Sequence, residues 1–204
     1  MIDRSLFLLW VRATWARWLI GLPLIVVLAL IGEAVGIGGS QVLVGVGMGA
    51  GTGLMQGRVI RKTVQKSVPW FWTSVVGLGS PFLVADISNA AGWGLVYSLP
   101  ASVAAGGIIA GGWQSRILQP RDRKKWMWVA ASALGWTLAG GAALVAGDLS
   151  RSHSLRGIRG AVVFLGVTAG GGLVLGLVTG ICLAWMFRLE PARQQGLRGR
   201  LDHG

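Results

Sequence analysis

The sequence predicts an all-α integral membrane protein with six transmembrane helices, arranged as three repeated helical hairpins. Of its 204 residues, 53% are hydrophobic and only 13% are charged, which is too apolar for an ordinary soluble domain. Its 34 glycines lie inside runs of Val, Leu and Ile, as they do in membrane helices that pack closely through small residues. We expect a single transmembrane domain over residues 1–188 and a polar basic tail over residues 189–204.

Six stretches reach the roughly 20 mostly apolar residues that a membrane-spanning helix requires. They cover about 6–32, 40–60, 70–90, 95–118, 126–147 and 160–187. The first stretch has no small-residue cleavage site at signal-peptide distance, so we expect it to be retained as a span. Only a short polar turn near Asp86 separates the third stretch from the fourth, and five spans would place the C-terminus on the opposite side of the membrane.

The second stretch alternates Gly with Val, Met and Ala over residues 44–51, and alternation is also the usual signal of a strand. Glycine is a poor strand former, however, and Gly45, Gly49 and Gly53 are spaced by four, so they share one face of a helix. We therefore predict a helix here.

An internal repeat relates these stretches to one another. At a shift of 58 positions, Gly49, Gly53, Gln56, Arg58, Trp70, Ser74 and Gly77 fall on Gly107, Gly111, Gln114, Arg116, Trp128, Ser132 and Gly135. The residues around Trp10 resemble those around Trp128, and the residues around Gly176 resemble those around Gly49. The pattern predicts three hairpins, at about 5–62, 66–120 and 124–188, each with a Trp-led helix followed by a Gly-led helix. Units of two spans share one orientation, so an axis along the membrane normal would relate them.

The Gly-led helices carry the predicted packing surfaces, because small residues spaced by four let neighbouring backbones approach. These glycines are Gly45, Gly49, Gly53, Gly107, Gly111, Gly172, Gly176 and Gly180. We expect the Gly-led helices to be the inner ones, with the bulkier Trp-led helices covering them or meeting lipid.

The distribution of basic residues predicts the orientation. If both termini lie on one side, that side holds 16 of the 19 Lys and Arg residues, and the other side holds only Arg151, Arg156 and Arg159. By the positive-inside rule, the termini and the turns after the second and fourth helices are cytoplasmic. We expect the membrane to be a bacterial plasma membrane or an internal energy-converting membrane. The net charge of +12 is then explained by attraction to anionic lipid, and we predict no nucleic-acid partner.

Nine of the eleven tryptophans lie near the inferred cytoplasmic ends of the spans, where an amphipathic indole favours the headgroup region. Among them, Trp70, Trp72, Trp126 and Trp128 are predicted to form a belt at the membrane interface.

The sequence contains no set of residues typical of a catalytic or metal site. His153 and His203 fall in a loop and in the tail, the single Cys182 lies in an apolar run, and Glu33 and Asp86 lie at the outer ends of spans. An intramembrane general base, a metal cluster and an activated nucleophile are therefore missing from the pattern. We predict that the protein is not an enzyme, and the sequence does not specify a cofactor.

One polar pattern recurs in register, and it is the candidate ligand- or lipid-binding site: Gln56, Arg58, Arg61, Gln114 and Arg116. If the Gly-led helices meet near an axis, these groups would converge at the cytoplasmic surface and bind a lipid headgroup or a phosphorylated solute. The alternative is that the glutamines form interhelical hydrogen bonds and the arginines only set the topology. The third copy has Leu183 in place of the glutamine, so at most two repeats would build such a site.

The motif Gly-xxx-Gly-xx-Gln, followed by a basic residue and then Trp-xxx-Ser-xx-Gly-Trp, runs from Gly107 through Gln114 and Trp128 to Trp136. In this motif the chain resembles bacterial multi-span membrane proteins of unassigned function that carry such repeats. The resemblance implies a fold and no activity.

Taken together, these features predict a non-catalytic accessory or assembly subunit that packs against other membrane proteins or lipids. Two alternatives stay open. One is a small transporter or channel for an anionic solute or lipid, since three repeats about an axis can enclose a path. The other is a pigment- or quinone-associated subunit of an energy-converting complex, because indoles are concentrated at one level of the membrane.

Overall fold

The computed structural model describes residues 4–37, 40–64, 69–93, 98–118, 122–152 and 157–187. All regular secondary structure within these ranges is α-helical. It consists of six helices: α1 (Arg4–Ala34), α2 (Val42–Val64), α3 (Trp70–Ala90), α4 (Leu99–Leu118), α5 (Asp122–Ser152) and α6 (Gly157–Phe187). The predicted helix at the Gly-Val alternation is confirmed, and so is the separation of the third helix from the fourth. The predicted tail at 189–204 lies outside the described residues.

Four of these helices are long and apolar enough to cross a membrane: α1, α3, the 124–149 part of α5, and α6. The Gly-led helices α2 and α4, with 23 and 20 residues, do not reach the same mean hydropathy. Glycine contributes little apolar surface, both helices contain a glutamine, and the last turn has two basic residues in α2 and one in α4. Their lengths correspond to about 30–35 Å at 1.5 Å per residue.

The helices form a closed ring. Each helix packs against its neighbours in the sequence, and α1 also packs against α6. The interior of the ring is filled in two layers. The first layer contains Trp10, Trp70 and Trp128 together with Ile60 and Leu183. The second layer contains Leu78, Phe82, Val103, Trp136, Ala139 and Leu175, about two helical turns farther along α3.

Two charged side chains cap the end of a neighbouring helix. The Asp86 carboxylate of α3 accepts hydrogen bonds from the backbone N–H groups of Gln41 and Val42, at 2.9 and 2.8 Å, where α2 begins. The Lys124 ammonium of α5 donates to the backbone carbonyl of Met186, at 2.8 Å, where α6 ends. Both charges have the sign that the helix dipole favours at that end.

Candidate functional site

Three tryptophans meet at the centre of the ring. Trp10, Trp70 and Trp128 lie on α1, α3 and α5, which alternate around the ring, and all three side chains are buried. Their ring centroids are 6.0 Å (Trp10–Trp70), 5.8 Å (Trp10–Trp128) and 6.0 Å (Trp70–Trp128) apart, with interplanar angles of 90°, 72° and 62°. This edge-to-face arrangement is favourable for aromatic rings. We call it the tryptophan cluster.

Gln114 on α4 forms hydrogen bonds to both α3 and α5 beside the tryptophan cluster. The Trp128 indole Nε1–H donates to Gln114 Oε1 at 3.3 Å, and Gln114 Nε2 donates to Ser74 Oγ at 3.0 Å. Ser74 Oγ in turn donates to the backbone carbonyl of Trp70 at 2.8 Å, one turn earlier in α3. A single amide on α4 therefore bridges α3 and α5.

Gln56 makes the equivalent bridge from α2. The Trp70 Nε1–H donates to Gln56 Oε1 at 3.4 Å, and Gln56 Nε2 donates to Thr14 Oγ1 at 3.0 Å. The amide on α2 therefore joins α1 to α3, as Gln114 joins α3 to α5.

The third indole is bonded differently, because Leu183 replaces the glutamine on α6. The Trp10 Nε1–H donates to Thr179 Oγ1 at 2.9 Å, and Thr179 Oγ1 donates to the backbone carbonyl of Leu175 at 2.6 Å. Thr179 lies one helical turn before Leu183. All three N–H groups of the cluster thus have acceptors inside the protein.

The predicted packing glycines lie at close contacts between neighbouring helices. A Cβ atom at Gly49 would lie 2.5 Å from the carbonyl oxygen of Ser74, and one at Gly107 would lie 3.0 Å from the Cα of Ala133. On α6, a Cβ at Gly176 would lie 3.3 Å from the Cβ of Thr14. Gly45, Gly53, Gly111 and Gly180 make similar approaches, with nearest atoms at 2.7, 2.7, 2.9 and 3.1 Å. Gly172 is also buried.

These contacts pair each Gly-led helix with the Trp-led helix that follows it around the ring. The pairs are α2 with α3, α4 with α5, and α6 with α1. The contacts of these glycines therefore cross the boundaries between the predicted hairpins, and the third pair combines the two ends of the chain. The Trp-led helices do pack on the glycine faces, and they also supply the tryptophan cluster at the centre, which was not expected.

The structure separates the residues of the predicted ligand site. Gln56 and Gln114 are buried and their amides are bonded to neighbouring helices. Arg58, Arg61 and Arg116 are exposed. The predicted convergence of glutamines and arginines into one pocket is therefore not present, because the two residue types point from opposite faces of α2 and α4.

The predicted tryptophan belt is likewise divided into exposed and buried residues. Trp72 and Trp126 are 64% and 75% exposed, as a residue at a membrane interface would be, whereas Trp70 and Trp128 are each only 1% exposed. Two positions correspond to about 200° around a helix, so neighbouring tryptophans of this spacing face opposite sides. Assigning Trp70 and Trp128 to the belt was wrong, since both belong to the tryptophan cluster.

Arg17 is an interior residue, although the charge distribution places it only among the 16 basic residues of the predicted cytoplasmic side. Its side chain is 3% exposed, and its Nη1 donates to Thr52 Oγ1. The guanidinium lies over the Trp136 ring, 4.4 Å from the centroid. Because Arg17 is on α1 and Trp136 is on α5, this contact crosses the inside of the ring. Arg17 follows Trp10 by seven residues, about 10 Å farther along the helix.

The repeat contained a signal for this residue. Positions seven residues after Trp70 and Trp128 are Gly77 and Gly135, so Arg17 stands where the other two copies have glycine. Arg17 therefore breaks the repeat, and an arginine that only sets the topology would not need to occupy this position. Intramembrane cations are rare and usually face the interior of a bundle.

Within the described ranges, no group of three or more His, Cys, Asp and Glu side chains is placed to hold a metal ion. Cys182 is buried in α6, with its Sγ 3.8 Å from the Sδ of Met186. No protein-family model, curated protein or solved structure matches the chain.

Proposed function

We propose that this chain is a non-catalytic, multi-pass membrane protein that acts as an accessory or assembly subunit, packing against other membrane proteins or lipids. In this proposal all six helices cross the membrane as three equivalent units. The membrane is a bacterial plasma membrane or an internal energy-converting membrane, with both termini on the cytoplasmic side.

The proposal depends mainly on the hydrogen bonds that the recurring polar groups form inside the protein. Gln56 and Gln114 bond to the indoles and hydroxyls of neighbouring helices, and Thr179 satisfies the third indole. The polar groups that recur in register thus hold helices together. A buried amide whose nitrogen and oxygen each bond to a neighbouring helix is poorly placed to bind a solute.

The exposed apolar surface of the ring is suited to contact with a partner in the membrane. Large apolar side chains are exposed along the outward faces of the helices, and on α1 and α6 they include Leu8, Val26, Val27, Leu30, Ile31, Ile158, Val162, Leu165 and Ile181. Trp72, Trp126, Arg58 and Arg116 are also exposed, and each lies two positions from a member of the hydrogen-bonded pairs Trp70–Gln56 and Trp128–Gln114. Exposed indoles and arginines at the same level of the ring suit an anionic headgroup layer.

The alternatives receive less support from the same geometry. A path along the axis would have to pass the tryptophan cluster, whose three rings lie about 6 Å apart. A pigment or quinone bound by that cluster would need free indole N–H groups, and the three N–H groups already have acceptors.

Extraction of native membranes with a lipid-retaining polymer tests the proposal. We expect the tagged protein to be recovered with a stoichiometric membrane protein, or with anionic lipid enriched over the bulk membrane. A matched variant, Val27→Gln, alters an exposed position of α1 without touching the interior and should weaken co-purification if that face binds a protein.

Recovery of the folded protein as a monomer, with lipid in bulk proportions, would contradict the accessory role. The competing transporter function is measured separately, by solute uptake into vesicles that contain the purified protein. Uptake that is lost in Gln114→Leu would favour the transporter.

A further inference from the structure

The packing of α6 against α1, which closes the ring, is tight at the end that holds the tryptophan cluster. A Cβ atom at Gly176 would lie 3.3 Å from the Cβ of Thr14, and one at Gly180 would lie 3.1 Å from the Trp10 ring. Both glycines are buried, and so is Leu183 on the adjoining face of α6. This face of α6 is therefore covered near the cluster.

The same face of α6 is uncovered toward the other end of the ring, which we call the outer end. Five helical turns correspond to about 18 residues, so Ile158, Val162 and Leu165 point in the same directions as the three buried residues named above. Yet they are 84%, 62% and 50% exposed. On the adjoining strip, a Cβ at Gly166 or Gly170 would have nothing within 4 Å. The outer part of α6 thus has no neighbour on the side where α1 packs near the cluster.

The other helix of the pair shows the same change. Val11 of α1 contacts α6 near the cluster, whereas Ala29, which lies five turns farther along α1, is exposed, and so are Val26 and Leu30. Pro23 lies between the two parts of α1, and a proline inside a helix favours a bend. The two helices therefore leave an apolar groove between their outer parts. We call it the outer groove.

Helix length explains why no other helix fills the outer groove from inside the ring. From Leu183 to its first residue, Gly157, α6 extends about 39 Å at 1.5 Å per residue. From the equivalent position, Gln56, to its first residue, Val42, α2 extends only about 21 Å. The outer part of α6 therefore lies beyond the first residues of the shorter Gly-led helices.

The mouth of the outer groove carries one charge of each sign. Arg159 lies in the first turn of α6, one turn before Val162, and is exposed. That turn has no acidic residue, and the start of a helix favours a negative group. Glu33 is exposed in the last turn of α1, at nearly the same distance from the tryptophan cluster. The arrangement suits an amphiphile that has a phosphate, an ammonium group and an apolar tail.

From this surface we propose that the outer groove binds one zwitterionic phospholipid of the outer leaflet. Its phosphate binds Arg159 and the start of α6, its ammonium group lies toward Glu33, and an acyl chain lies along Val162 and Leu165. The open strip from Ile158 to Gly170 is about 18 Å long, which is shorter than the roughly 30 Å that a partner's transmembrane helix would need. The inference rests on the proposed function, in which all six helices cross the membrane and lipid packs against them.

Lipid retention by the purified full-length protein tests the outer groove. The protein is equilibrated in nanodiscs of equal parts phosphatidylethanolamine and phosphatidylglycerol, transferred to a mild detergent and measured by native mass spectrometry. We expect one phosphatidylethanolamine to be retained per chain. Val162→Trp should fill the groove and abolish retention, whereas Ile181→Trp, at a 54% exposed position near the other end of α6, should not change it. Arg159→Gln should reduce retention about fivefold.

A second substitution keeps the test independent of folding. Val162→Gln adds a polar group without the bulk of an indole, and it should also lower retention in a protein whose near-ultraviolet circular dichroism is unchanged. The proposal would be overturned if the folded wild type retained no lipid, if it preferred phosphatidylglycerol, or if Val162→Trp retained as much lipid as the wild type. Loss of a co-purifying membrane protein in Val162→Trp, with the lipid still bound, would assign the surface to a protein and also overturn it.

This failure is distinguishable from failure of the accessory role. The accessory role is measured by what the wild-type protein brings with it from native membranes. A protein that is recovered with its membrane partner and yet retains no phosphatidylethanolamine would refute the outer groove alone.

Discussion

Replacing Gln114 with Leu should destabilise the helix ring by about 1.5 kcal/mol, without changing its architecture. The substitution leaves the Trp128 indole N–H without its acceptor and removes the bond to Ser74 Oγ. Leu has nearly the volume of Gln, and the chain already carries Leu183 at the equivalent position of α6. We therefore expect the loss to come from hydrogen bonding and not from packing.

The magnitude follows from the two bonds. An interhelical side-chain hydrogen bond in a membrane protein contributes about 0.6 kcal/mol on average, which applies to the bond with Ser74. A buried donor left without an acceptor costs about 1–3 kcal/mol, and the indole N–H belongs at the lower end because the Gln114 bond is long, at 3.3 Å. Additional burial of the leucine side chain offsets part of the loss.

The chain itself provides a rescue. In α6, Thr179 lies four residues before Leu183 and accepts the indole N–H of Trp10. The corresponding position four residues before Gln114 is Ala110. Ala110 is buried against Gly77, so the threonine has a packing cost of its own. The double variant Ala110→Thr, Gln114→Leu should therefore be about 1 kcal/mol more stable than the sum of the two single changes, because it recreates the arrangement of the third unit on α4.

Unfolding in mixed micelles of increasing denaturing-detergent content provides the assay, with near-ultraviolet circular dichroism of the tryptophans as the signal. Ala110→Thr alone is the control for the added methyl and hydroxyl groups. A Gln114→Leu variant as stable as the wild type would contradict this prediction, and so would a folded double variant whose loss of stability equals the sum of the two single losses.

Three other substitutions, one of them with a matched control, test the packing and the helix caps. Gly49→Val should cost about 3 kcal/mol in the same unfolding assay, because its Cβ would lie 2.5 Å from a backbone carbonyl oxygen. The control Gly112→Val has open space around the new side chain and should change stability by less than about 0.5 kcal/mol. Asp86→Ala removes two charge-assisted bonds at the start of α2 and should cost about 1–2 kcal/mol, with faster amide exchange in the first turn of that helix. Lys124→Met removes the bond to the end of α6 and the contact with Trp185, so amide exchange should accelerate in the last turn of α6 while global stability falls by no more than about 1 kcal/mol.

Each of these expectations has a contrary result. Equal destabilisation by valine at Gly49 and Gly112 would mean that helix propensity, and not close packing, sets the cost. Unchanged exchange at the start of α2 in Asp86→Ala would show that the carboxylate is not the cap. A large loss of global stability in Lys124→Met would indicate a role beyond the end of α6.

Much of the helix pattern was predictable because it depends on local chemistry. Long apolar runs form helices wherever backbone hydrogen bonds must be satisfied within the chain, and glycines spaced by four create a smooth face on any helix. The equivalence of Gln56 and Gln114, and the exception at Leu183, were likewise visible from the repeat. None of these inferences required knowing which helices are neighbours.

The helices that pack against the glycine faces were not predictable, because some of them are distant in the sequence. The contact of Gly176 with Thr14 joins α6 to α1 across more than 150 residues, and it exists only because the ring closes. The hairpin boundaries placed in the sequence gave no reason to pair the two ends of the chain. Closure also decides which side of α3 and α5 becomes the interior.

Tryptophan and arginine illustrate the difference between what is predictable from sequence and what depends on tertiary structure. The gathering of indoles and cations toward one end of the helices is predictable, since it follows from their order along the chain. That Trp70 is in the centre while Trp72 is exposed, and that Arg17 is inside the ring while Arg12 is on its surface, depends on tertiary packing. Residues a few positions apart lie at similar depth along a helix, but which of them is buried depends on how that helix is rotated against its neighbours.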